Sequence, residues 1–195
     1  NDASGKGNTG TLTVGASGSQ TAVGTCNTAS TAWGNGATGK FNGSLNFDGT
    51  DDFVDLGNST TMNPVSNRIT ISAWIYYTTS GTSPIMIVSK DTVGASSDYF
   101  LRVQNPSTGV VRCGFEGTGS ADSSAGVVSA NVWHHITCVF DGTDRIIYKN
   151  GIAVDTVTAS PTFSDSTGSV AIGRRNEGGG GMYFVGKIDE VRIYS

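Results

Sequence analysis

The dipeptide Asn150-Gly151 is the strongest local instruction in this chain. It separates two runs, residues 145–149 and 152–158, that are rich in Ile, Val, Tyr and Thr. A two-residue loop joining antiparallel strands needs positive φ at both positions, which Asn and Gly tolerate. The spacing therefore predicts a β-hairpin. Similar short runs recur, with turn residues between them, at 44–47, 52–56, 68–77, 85–90, 99–104, 110–115, 131–140, 170–173, 182–185 and 187–194. Asn105-Pro106-Ser107-Thr108-Gly109 and Asp141-Gly142-Thr143-Asp144 read as connections between them. No stretch carries a convincing helical period. Many short strands without βαβ units predict an all-β fold, an antiparallel β-sandwich or jelly roll.

Composition agrees. The 195 residues include 28 glycines and only 4 prolines, and 14% are charged. That is strand-and-turn usage for one domain over residues 1–195. A net charge of −4 argues against nucleic acid as a partner, which would need a basic face. No apolar run reaches the ~18–20 residues of a membrane span. The first residues carry no secretion leader, and the start at Asn1-Asp2 fits a mature or excised fragment.

The strand over 68–77 has large residues on both faces. Ile71, Ala73 and Ile75 share one, and Trp74 and Tyr76 share the other. Such a strand needs a second sheet on one side and a loop, ligand or partner on the other. Residues 1–43 are an irregular Gly/Ser/Thr/Asn region, with one strand-like piece at 11–14, ordered by burial of Trp33 and Phe41. Three cysteines leave at least one unpaired within the chain. Cys113 and Cys138 sit at core phases of strands, either as two small buried hydrophobes or as a cross-strand disulfide of a secreted protein. Cys26 is the candidate free thiol.

Several segments together resemble one family. They are residues 2–12 beginning Asp2-Ala3-Ser4-Gly5-Lys6-Gly7, Leu45-Asn46-Phe47-Asp48-Gly49 with Asp51-Asp52-Phe53-Val54, and Ile69-Thr70-Ile71-Ser72-Ala73-Trp74-Ile75. Trp133-His134-His135-Ile136 through Phe140-Asp141-Gly142, Tyr148-Lys149-Asn150-Gly151 and the closing Gly186-Lys187-Ile188-Asp189-Glu190-Val191-Arg192-Ile193-Tyr194 complete the set. In this order they are similar to the laminin-G-like, concanavalin A-like jelly-roll domains. The resemblance implies two stacked, curved antiparallel sheets in a secreted or cell-surface module. Such modules are usually one part of a larger surface protein, adhesin or glycan-active enzyme; with no Glu-x-Asp-x-Glu triplet in the chain, the expectation is a non-catalytic role in adhesion or structural assembly, with carbohydrate binding within a larger protein as the alternative and glycoside hydrolysis as a remote one. The strand that such domains usually carry upstream of the Asp-x-Ser-Gly segment is missing. Either that strand is clipped from this chain or, since an unpaired edge beside the last strand invites aggregation, a neighbouring subunit donates it in self-assembly. A second departure is an insertion around residues 20–33.

The candidate site residues follow. Calcium takes six to eight oxygen ligands. Asp2 and the loop through Asn8 are able to wrap an ion, with Asp189 approaching from the last strand and Asp48 or Glu190 in reserve. The competing reading makes Asp2 and Asp48 turn-formers and ties Asp189 to an arginine or to backbone amides. Hydrolysis needs two carboxyls facing one bond at roughly 5–9.5 Å, and adjacent Asp189 and Glu190 point to opposite faces. His134 and His135, one inward and one outward, read as strand structure. Trp74, Tyr76, Tyr77, Tyr99, Trp133, Tyr148 and Tyr183 include candidates for sugar stacking, with Trp74 and Trp133 assigned to core packing. Arg174, Arg175 and Asn176, with Tyr183 beyond the glycine run, form a candidate glycan-binding rim.

Overall fold

A computed structural model describes residues 2–13, 33–34, 39–41, 43–91, 97–115, 120–159, 163, 167–175 and 182–195. Cys26 and Asn176 lie outside these residues. The described residues form two seven-stranded antiparallel sheets. The first runs β1 (Thr11–Thr13), β4 (Phe53–Gly57), β13 (Ser169–Ile172), β6 (Ile85–Asp91), β7 (Ser97–Asn105), β8 (Val110–Phe115) and β9 (Ser120–Asp122). The second runs β12 (Ile152–Thr158), β11 (Asp144–Lys149), β10 (His134–Phe140), β5 (Ile69–Tyr77), β14 (Val185–Tyr194), β3 (Ser44–Asp48) and β2 (Trp33–Gly34). The all-β sandwich expected from the strand spacing is what the chain forms. Beyond the expected strands, the structure adds the short β2 and β9 and a one-turn 3-10 helix at Thr60–Met62. The turn at Asn150 and Gly151 has φ of 50° and 84°, the positive pair that an Asn-Gly hairpin demands.

Alternation places the core. On β5, Ile69, Ile71, Ala73, Ile75 and Tyr77 are at most 2% exposed. They meet Ile136, Cys138 and Phe140 of β10 and, from the facing sheet, Leu101, Val103, Val111 and Cys113. At about 25 cal/mol per Å² of apolar surface removed from water, this inter-sheet layer is the main stabilising contribution. Cys113 and Cys138 are bonded, with Cα atoms 6.2 Å apart. The bond links β8 to β10 and so ties one sheet to the other; of the two readings the sequence left open, the cross-strand disulfide is the one the structure has, not the pair of free thiols.

Two expectations change. β14 is an inner strand, paired with β5 along one side and with β3 over Val185–Ile188 on the other. The edge expected to be vacant is therefore filled along that stretch, because the chain from Ser44 to Asp48 returns beside the last strand. Among the described residues no strand pairs with the rest of β14 on that side. Phe41 is not buried. It is 53% exposed and sits on the outer face of the second sheet.

Candidate functional site: an aromatic face on the second sheet

The residues of β5 that do not enter the core form one face. Register aligns them across three strands. His135, Trp74 and Asp189 make one row, Thr137, Ser72 and Arg192 the next, and Lys187 stands beside Tyr76. Trp74, Tyr76, Trp133 and His135 are each half-buried. The Trp133 and Tyr76 rings lie 5.7 Å apart, those of Trp74 and His135 5.2 Å, and those of Phe41 and Trp74 5.8 Å. Trp74 and Trp133 are therefore surface aromatics rather than inter-sheet core, since the other face of the same strands already fills the sandwich.

Cations border the rings. Lys40 Nζ is 4.6 Å from the Trp74 centroid and Lys187 Nζ is 5.6 Å from that of Tyr76. Both lie within the range at which a ring face attracts a cation. A groove of about 560 Å³ runs over this face, lined by Phe41, Trp74, His135, Glu190, Arg192 and Tyr194 with the hydroxyls of Thr70, Ser72 and Thr137. Its size is that of a small-ligand site, and its mix of ring faces with a few polar groups is the usual composition.

A bulge builds one wall. The β14–β5 register shifts between Asp189 and Arg192, and Glu190 takes φ +49°. Bulges re-aim side chains, and here Glu190 reaches Arg192 Nη2 at 2.7 Å along the groove. Asp189, 8% exposed, holds the arrangement. Its Oδ1 accepts the Glu190 N–H at 2.8 Å and its Oδ2 accepts the Phe41 N–H at 2.9 Å. Asp189 is thus a staple that brings residue 41 over Trp74. Burial, then the nearby Arg192, lowers the His135 pKa, so its ring is neutral at pH 7.

Of the four residues put forward as calcium ligands, Asp2 and Asn8 meet through a backbone amide, and Asp189 is held by the Phe41 and Glu190 amides. Asp2 accepts the Ser4 N–H at 2.9 Å, the Lys6 N–H at 3.1 Å and the Asn8 N–H at 3.0 Å. Ser4 side-chain and backbone bonds, then the Asn8 amide, lower its pKa to about 2. A loop that turns its amides inward around a carboxylate presents donors there, whereas calcium takes oxygen ligands from carboxylates, carbonyls and water. The Asn8 side-chain oxygen accepts from the Thr61 hydroxyl at 2.9 Å. Of the four, only Asp48 enters an acidic group. Oxygens of Asp48, Asp51 and Asp52 lie within 4.8 Å of one another. That group offers several carboxylate oxygens at one turn, although Asp48 Oδ1 also accepts the Thr50 N–H and Asp52 Oδ2 the Asp48 N–H.

The arginine rim lies on the other sheet. The Arg174 guanidinium sits 3.3 Å from the centroid of the Phe53 ring, and its carbonyl accepts from Ser89 Oγ at 3.1 Å. Arg175 Nε approaches Asp91 at 3.8 Å. Tyr183 is half-buried. These residues stand apart from the aromatic groove. The groove residues that the sequence did not mark are Thr70, Ser72, Thr137, Arg192 and Tyr194, which only strand register brings together.

No curated protein sequence matches the chain. Solved structures do. Domain 4 of AbnA, a GH43 extracellular arabinanase from Geobacillus stearothermophilus solved in complex with arabinotriose, is 20% identical with a TM-score of 0.60, over 82% of this chain and 73% of that one. A heptameric SAP-like pentraxin from Limulus polyphemus is 17% identical with a TM-score of 0.56, over 76% and 73%. Tailspike protein 2 of bacteriophage CBA120 is 13% identical with a TM-score of 0.56, over 79% of this chain and 26% of that one. At these identities the likeness is one of fold. A family profile matches residues 48–195, most of the chain, and the chain belongs to the concanavalin A-like lectin/glucanases superfamily.

Proposed function

We propose that this domain is a non-catalytic glycan-binding module that takes a sugar chain along the aromatic face of its second sheet. The observation that carries the reading is the set of rings on one face outside the core, exposed Phe41 with half-buried Trp74 and His135, and half-buried Tyr76 with Trp133, bordered by Lys40, Lys187 and Arg192. Flat rings pack on the apolar faces of sugars, and Arg192, Glu190 and the Thr and Ser hydroxyls suit their hydroxyl groups. The two acids near the groove are engaged in shaping it, Asp189 with backbone amides and Glu190 with Arg192. That fits binding better than acid–base hydrolysis. The arabinotriose bound to the domain of similar fold supports a sugar ligand. The inter-sheet disulfide supports a secreted or surface setting, where adhesion would follow from the same binding. A structural calcium, in this reading, sits at Asp48, Asp51 and Asp52.

A glycan array that includes arabino-oligosaccharides, probed with the wild-type domain and with Trp74→Ala and Tyr76→Ala, tests the proposal. Binding by the wild type that both variants lose supports it. No binding to any glycan, or binding indifferent to both substitutions, refutes it.

A further inference from the structure

The first sheet carries a different set of charges on its outer face. Tyr99, Leu101 and Val103 of β7 enter the core, so Phe100 and Arg102 face away from it. The Phe100 ring lies against Gly114, where any side chain would collide with it. Arg102 stacks on that ring, its guanidinium 4.7 Å from the centroid. Arg112 is its direct partner in register on β8, and Arg175 is close enough to act on it electrostatically.

Among the described residues, Arg102 has no carboxylate of its own. The carboxylates within electrostatic reach of Arg102 are Asp122 and Asp91, and other arginines hold both. Arg112 grips Asp122 through Nε and through Nη2, the latter at 2.6 Å. Arg175 faces Asp91 at 3.8 Å. Among the described residues, these ion pairs leave no carboxylate that Arg102 holds as its own. Arg102 is 9% exposed, its Nε meets no acceptor among the described residues, and its Nη1 donates to the Met182 thioether at 3.3 Å. A thioether is a weak acceptor, and a buried cation without a strong one is costly. Burial, then Arg112 and Arg175, lower the Arg102 pKa to about 10. Arg112 and Arg175 keep side-chain exposures of 23% and 28%, so the group opens to solvent at its sides.

The geometry points to an oxyanion site floored by Arg102 and flanked by Arg112 and Arg175, which takes a sulfate, phosphate or carboxylate group. Planar guanidiniums suit such an anion because each offers parallel N–H donors. The site is on the opposite sheet from the aromatic groove and does not depend on it.

Arginine Nε–H resonances of the isotope-labelled domain, titrated at constant ionic strength with inorganic sulfate, inorganic phosphate or glucuronate, test the site. The expected result is a saturable shift of the Arg102 signal with at least one of the three, and the tightest of them names the anion class. Arg175→Gln, at a partly exposed position, should weaken that response about tenfold through loss of one charge-assisted contact. Arg102→Met should abolish the anion's effect on the remaining arginine signals. Responses to all three that are linear and equal to that of chloride overturn the proposal. So does a saturable response that both variants retain.

Discussion

Removal of the Cys113–Cys138 bond is the perturbation whose magnitude follows most directly from the fold. The bond closes a loop with a sequence separation of 25. Loop-closure entropy for that length corresponds to about 3.5 kcal/mol of stabilisation at 25 °C, exerted mainly on the unfolded chain. For 195 residues, an unfolding entropy of about 2 cal/mol/K per residue turns this into a Tm loss of about 9 °C. Both sulfurs are fully buried between the sheets, so a Cys113→Ala/Cys138→Ala variant also loses packing. It should fall somewhat further than the reduced wild type. Thermal denaturation followed by circular dichroism, with and without reductant, measures both. An unchanged Tm for fully reduced protein would refute the entropic argument. So would a double variant as stable as the oxidised wild type.

Three further outcomes are expected. Burial, then Lys149, depresses the His134 pKa below 6.5, and burial, then Arg192, depresses that of His135. The fold therefore favours neutral rings. This contribution is complete above pH 6.5, the unfolded-chain value, and is lost as pH falls through the folded values, so Tm should decline from pH 6.5 towards 5 and His134→Gln/His135→Gln should flatten the decline. Gly186 sits at φ +127° with the Tyr76 carbonyl where a Cβ would go. Gly186→Ala should cost about 3 kcal/mol, or roughly 7 °C in Tm. Calcium at the β3–β4 turn should make Tm sensitive to a chelator, a sensitivity that Asp51→Asn removes and Asp2→Asn leaves, because Asp2 is not part of the Asp48–Asp51–Asp52 group.

The fold was legible because the chain repeats one strong signal, the two-residue period closed by turn residues, as in Val110–Phe115 and Ile152–Thr158. What period two does not reveal is which face turns inward when both are apolar. Trp74 and Tyr76 alternate with Ala73 and Ile75, and only the pairing of β5 between β10 and β14 decides that the rings face out. The disulfide was half legible for a similar reason. Both cysteines are at core phases, but β8 and β10 belong to different sheets, an order that local sequence does not carry. The acids misled because ligand and turn chemistry use the same residues. An Asp beside Ser and Gly suits an ion or a turn, and the direction of the surrounding N–H groups separates the two. Arg102 gave no signal at all, since its isolation comes from Asp122 and Asp91 being held by other arginines.

The central claim is that a sugar lies on the rings of the second sheet. Indole Nε1–H resonances of Trp74 and Trp133 report on that face directly, since Trp74 packs on Phe41 and His135 and Trp133 on Tyr76. Titration with a glycan that the domain binds should shift both indole signals with one dissociation constant, and Phe41→Ala should weaken that constant. Saturable binding that leaves both indoles unmoved would contradict the account.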